Sequence, residues 1–196
     1  MSTCLKFAAA VGLALVPALL MPMLSFADSP PAATTPDRGT WQMHEYSFEF
    51  MGFTSTYSCD GLADKIKVLL IAAGARRDSK SRPGACAYGF GQPDKFARAD
   101  LTFYTLTPSV GTASSGGKSV DGAWRPVSLS ARSPRELGTG DCELVAQFRN
   151  NLLPMFTTRN VSDRSTCVPY QESGSVINLQ FESFAAAPSG PHAPPH

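Results

Sequence analysis

At 196 residues with 17 basic and 16 acidic side chains, the chain has a formal net charge of only +1, while 43% of it is hydrophobic. A nucleic-acid partner needs a basic excess to displace counterions from phosphates, so that class is excluded on charge. Five cysteines without a close CxxC pair, and three histidines, offer little for a zinc or thiol-redox centre.

Residues 1–27 read as a secretory signal peptide. Lys6 precedes an apolar run over 7–20, and the stretch ends in Ser25-Phe26-Ala27, with small residues where cleavage requires them. Pro17 and Pro22 interrupt the run, which disfavours a retained membrane anchor. Cys4 lies before the run, whereas a lipid-bearing cysteine would follow it. Cleavage removes Lys6 and leaves basic and acidic side chains equal at 16 each. Residues 28–39 and 185–196 are rich in Pro and Ala, have little to bury and are expected to be a disordered linker and a disordered tail. Residues 40–184 then form one domain.

Within it, Tyr46, Phe48 and Phe50 alternate with Ser47 and Glu49 as in a half-buried strand. Trp41 and Met43 have the opposite parity, for which a bulge near His44 and Glu45 is the expected remedy. A hydroxyl-rich turn follows (Thr54, Ser55, Thr56, Tyr57, Ser58), then Cys59 and an amphipathic helix over 60–73 with Leu62, Ile66, Leu69, Leu70 and Ala73 on one stripe. Ser58 or Asp60 suits its N-cap, and Gly74 the left-handed residue that ends it. A basic, turn-prone segment over 76–82 leads to an expected strand at 85–90, a turn at 91–94 and a strand over 96–106. Leu101 and Phe103 there oppose Tyr104 and Leu106. Residues 110–122 are small and polar and read as a mobile connection.

The second half repeats the pattern. A strand at 124–129 contains Pro126, which places it at an edge or an irregular point. Asp141 caps a helix with Leu144, Val145, Phe148 and Leu152 inward, which Pro154 stops. Strands are expected at 167–170 and 176–184. Strand, helix, strand, strand, twice over, gives an α+β single domain of two βαββ pseudo-repeats, about 40–107 and 123–184. Two helices would cover one face of a largely antiparallel sheet, in a ferredoxin-like or related split-βαβ arrangement. The repeat also selects a disulfide pairing, Cys59 with Cys86 and Cys142 with Cys167, each bridge stabilising by about 3 kcal/mol.

The chemistry is sparse. Pro194 and Pro195 separate His192 from His196, so these do not form a helical ligand pair, and neither a metal nor a cofactor is expected. His44 is the domain's one histidine and is read as structural; neither GxSxG nor HExxH occurs. The best binding candidate is the turn Thr54, Ser55, Thr56, Tyr57 and Ser58 at a helix N-terminus, together with Arg76 and Arg77. The plainer alternative is that those hydroxyls cap the helix. The expectation is an exported, periplasmic or secreted, non-enzymatic domain that binds a protein or small ligand in the cell envelope, with no nucleic acid and no stable membrane insertion. A cofactor-free hydrolase using His44 or a carboxylate, and a structural or assembly component of the envelope, are the alternatives.

Overall fold

β1 (Asp37–Met51) pairs antiparallel with β3 (Phe96–Pro108) in one unbroken register, from Gly39 opposite Pro108 to Met51 opposite Phe96. The bulge expected near His44 is therefore absent. Phe48 and Phe50 enter the core, while Trp41 pairs with Leu106 on the opposite face. Both faces of β1 carry apolar side chains, so the change of parity needs no extra residue.

In this computed structural model the described residues are 37–85, 91, 93–109 and 119–188. All fall in the unit Thr35–His196; the unit Met1–Thr34 lies outside them. The signal segment, most of the linker, Cys86, the connection at 110–118 and the two tail histidines also lie outside the described residues.

The remaining strands are β2 (Lys80–Pro83), β4 (Val120–Ser130), β5 (Thr158–Asp163) and β6 (Asn178–Ala186), and the helices are α1 (Cys59–Ala72) and α2 (Cys142–Asn151). They build a six-stranded sheet in the order β2-β3-β1-β4-β6-β5, antiparallel throughout. In the first half α1 joins β1 to β2, two parallel strands with β3 between them. In the second half α2 joins β4 to β5, with β6 between. That is the split-βαβ connection, but with two strands more than the βαββαβ order of a ferredoxin-like chain. The halves meet where Asp37–Gly39 pairs with Val120–Gly122, a contact of strand beginnings only. At Pro126, β4 is accordingly flanked by β6 alone, and the missing N–H disturbs no second ladder.

Ser58 caps α1 by accepting the Gly61 amide at 3.1 Å, and Gly74 ends it at φ 102°. Leu62, Ile66, Leu69 and Leu70 are fully buried, each contributing about 1.5–3 kcal/mol. With Leu144, Val145 and Phe148 of α2 and the inward residues of the sheet they form a single core cluster. A 3-10 turn, Leu153–Met155, carries Pro154 past the end of α2.

Two strands form where none was expected. β2 occupies Lys80–Pro83, mostly within the segment read as a basic turn, and β5 occupies Thr158–Asp163, whereas 167–170 is not a strand; residues 86–90 of the strand expected at 85–90 lie outside the described residues. Both are edge strands without an inward apolar row, so no alternation announces them. Cys167 sits instead in the loop after β5 and is bonded to Cys142, with Cα atoms 5.5 Å apart. β1 begins at Asp37 and β6 continues to Ala186, so the folded region takes in the ends of both stretches expected to be disordered.

Candidate functional site

The turn before α1 is held by the N-terminal end of α2. Glu143 and Gln147, four positions apart, share one helical face. Glu143 Oε2 accepts the amides of Phe53 and Thr54 at 2.9 and 3.0 Å, and the Thr54 hydroxyl lies 3.3 Å from Glu143 Oε1. Gln147 accepts the Met51 amide at 3.1 Å and donates to the Met51 carbonyl at 2.8 Å. The Ser55 hydroxyl donates to Gly140 O at 2.6 Å, and the Tyr57 hydroxyl to Asp141 Oδ1 at 2.5 Å. Asp141 also accepts from Lys65 Nζ and the Gly138 amide, each at 2.6 Å. Burial pushes the Tyr57 phenol far up, and its hydrogen bond to Asp141 and the charges of Asp141 and Glu143 add to that. With Ser58 spent on the helix cap, Thr56 alone of the five turn residues remains exposed without such a bond among the described residues. The turn is a clasp between the halves, and four of its five hydroxyls are already engaged.

His44 is likewise engaged. Its Nε2 lies 2.8 Å from Thr105 Oγ1, and the Thr105 hydroxyl is itself 3.1 Å from the Met155 carbonyl. A hydroxyl has one proton, and the carbonyl can only accept it, so His44 Nε2 carries the hydrogen of the first bond. That tautomer cannot take the Thr105 proton. Burial lowers the His44 pKa, and the ring stacks on Phe103 at 5.1 Å.

Arg76 and Arg77 stand at the other end of α1, about 21 Å from the turn for 14 residues at about 1.5 Å each. The two parts of the expected site are therefore not brought together. Instead these arginines join Trp41, Arg125 and the end of β6 around a groove of about 670 Å³. Its apolar lining comes from Ile71, Ala75, Ala185, Ala186, Ala187 and Pro188. Arg76 is fixed by a fork to Asp78, Nε to Oδ1 at 2.6 Å and Nη2 to Oδ2 at 2.9 Å. Its guanidinium also lies 3.6 Å from the Tyr104 ring centre and 5.6 Å from that of Trp41. Arg77 and Arg125 are exposed, and neither has an ion pair or side-chain hydrogen bond among the described residues.

Sequence reasoning missed Trp41, Arg125 and the Ala186–Pro188 wall. It also passed over a short signal, Gly39-Thr40-Trp41 echoed by Gly122-Ala123-Trp124. In the second half Arg159 lies 4.2 Å from the Trp124 ring centre and pairs with Glu182, a second arginine-on-tryptophan contact. Sequence reasoning also took the SxxK pattern to be absent, whereas Ser115-Gly116-Gly117-Lys118 has that spacing and lies outside the described residues. Among the described residues no three His, Cys, Asp or Glu side chains group as metal ligands. No protein family matches the chain, no curated protein matches its sequence and no solved structure matches its fold.

Proposed function

We propose that the chain is an exported domain, built twice from a βαββ unit, that acts by binding an anion-bearing ligand in the groove of Arg76, Arg77 and Arg125 and catalyses no reaction. The observation that carries this is the convergence on one groove of a tryptophan and two arginines that are unpaired among the described residues. Unpaired guanidinium forks are suited to carboxylate or phosphate oxygens. Export is supported by the signal-like leader and by the Cys142–Cys167 bridge, which an oxidising compartment preserves.

Duplication is supported by register. Asp37 opposite Gly122 and Gly39 opposite Val120 form a pairing that exchanging the halves leaves unchanged. Gly39 stands 20 positions before Cys59, and Gly122 stands 20 before Cys142. A methyl group on either glycine would strike Leu106 and Phe184, so the two strand beginnings are shaped alike. On this reading Cys59, buried at the start of α1 and disulfide-bonded, pairs with Cys86 as Cys142 does with Cys167.

Amide NMR of the full oxidised chain, titrated with acetate and with inorganic phosphate, tests the reading. Shifts are expected at Ala75, Arg76, Arg77 and Arg125 and should disappear in an Arg77→Ala, Arg125→Ala double variant. Shifts centred on 54–58, or unchanged in that variant, would count against it.

One observation favours the assembly alternative as a second reading. Met51, Phe53 and Phe96 are half exposed or more, and the Phe53 ring meets the largely exposed Tyr170 at 6.0 Å. Exposed apolar side chains gathered in this way mark contact surfaces. Sedimentation that stays monomeric across a hundredfold concentration range, in both the parent and Phe53→Ser, would remove self-association from consideration.

A further inference from the structure

We infer that the groove selects a small monocarboxylate with an apolar or aromatic body, an inference that rests on the groove being the binding site as proposed above. The lining divides the ligand into two parts. Trp41, Ile71, Ala75 and the Ala185–Pro188 wall offer apolar surface, whereas the cations converge from Arg76, Arg77 and Arg125. A fully charged, strongly hydrated anion would leave that apolar wall without a partner. An uncharged apolar molecule would leave two guanidinium forks unused.

Charge argues for an anionic head. Arg76 is neutralised by its fork to Asp78, so Arg77 and Arg125 are the two available cations. α1 ends at the groove, where the carbonyls of Leu69, Leu70 and Ile71 already accept the amides of Ala73, Ala75 and Gly74. Two guanidinium forks set against an apolar wall suit a carboxylate on an apolar body better than a strongly hydrated phosphate dianion. Size agrees, since about 670 Å³ falls within the ~300–1,000 Å³ of pockets that take small organic molecules. Arg76, held over Tyr104 and near Trp41, acts as a positioning residue that keeps the indole wall in place.

Calorimetric titration of the full oxidised chain with naphthalene-2-carboxylate, naphthalene-2-carboxamide, acetate and inorganic phosphate tests this. The carboxylate should bind at least tenfold more tightly than the amide and than acetate. Arg77→Ala and Arg125→Ala should each weaken it at least fivefold, Arg125→Lys less, and Arg135→Ala not at all; circular dichroism checks that each variant is folded. The tripeptide Ala-Ala-Phe with a free C-terminus separates a chain end from a free acid, and tighter binding of the peptide would overturn the small-molecule assignment. Equal binding of acid and amide would overturn the inference. Phosphate or acetate binding that depends on Arg77 and Arg125, with the naphthoate no tighter, would overturn it while leaving the groove as the site. No binding dependent on these arginines would remove both.

Discussion

The Ser183 hydroxyl is fully buried with no hydrogen-bond partner among the described residues, close to where a side chain on Gly74 would lie. A buried hydroxyl left unpaired loses its hydration without compensation. Ser183→Ala should therefore leave stability unchanged or raise it by up to about 1 kcal/mol in urea unfolding, and a loss of more than that would mean the hydroxyl has a partner. His44 gives a pH signature of defined sign. Burial holds its folded-state pKa below the ordinary 6.5, so the unfolded chain binds the extra proton first as pH falls. Stability from this residue is complete above pH 6.5 and declines as pH drops through the lowered value. Unfolding midpoints of His44→Gln should show a flatter dependence across that window, whereas identical slopes would show that His44 titrates normally. None of this was visible in the chain itself: periodicity led to a structural reading of His44, but its bonding to Thr105 depends on a strand pairing 61 positions away.

Among the elements, the apolar ones were legible and the polar ones were not. α1 and α2 were found by stripes of Leu62, Ile66 and Leu69 and of Leu144, Val145 and Phe148, because burial on one side writes a period into the sequence. β2 and β5 were missed because an edge strand answers to solvent and to one neighbour, so charged and polar residues serve it well. The clasp was half legible: the turn was noticed for its hydroxyls, but the acceptor, Glu143, lies some ninety positions on. Glu143→Ala leaves the Phe53 and Thr54 amides without their acceptor and should cost about 1–2 kcal/mol, with faster hydrogen exchange at those two positions. Unchanged exchange there would show that the clasp does not hold the turn. At the seam, a Cβ on Gly122 would come within 2.3 Å of the Phe184 ring. Gly122→Ala should cost about 1–3 kcal/mol by overpacking, and a neutral result would show that the seam yields.

Across the whole molecule, the architecture follows from one connection used in both halves and joined at three residues of each central strand. So short a seam leaves the remaining cohesion between the halves to the common core and the clasp. Removing the Cys142–Cys167 bridge by paired Ala substitutions should lower stability by about 3 kcal/mol, since it closes a loop of 25 residues. A loss below about 1 kcal/mol would mean that the loop is ordered without it. The site was the least legible level. Arg76 and Arg77 were singled out, but the groove also needs Trp41 from a strand beginning, Arg125 from the other half and a wall from a stretch that composition assigned to a loose tail. Only the fold brings these four segments to one place.

The most direct measurement is a crystal of the oxidised chain soaked with 4-bromobenzoate and recorded at the bromine absorption edge. An anomalous peak is expected in the groove, with the carboxylate between Arg77 and Arg125 and the ring against Trp41. A peak at the 54–58 turn, or beside His44, would contradict binding in the groove.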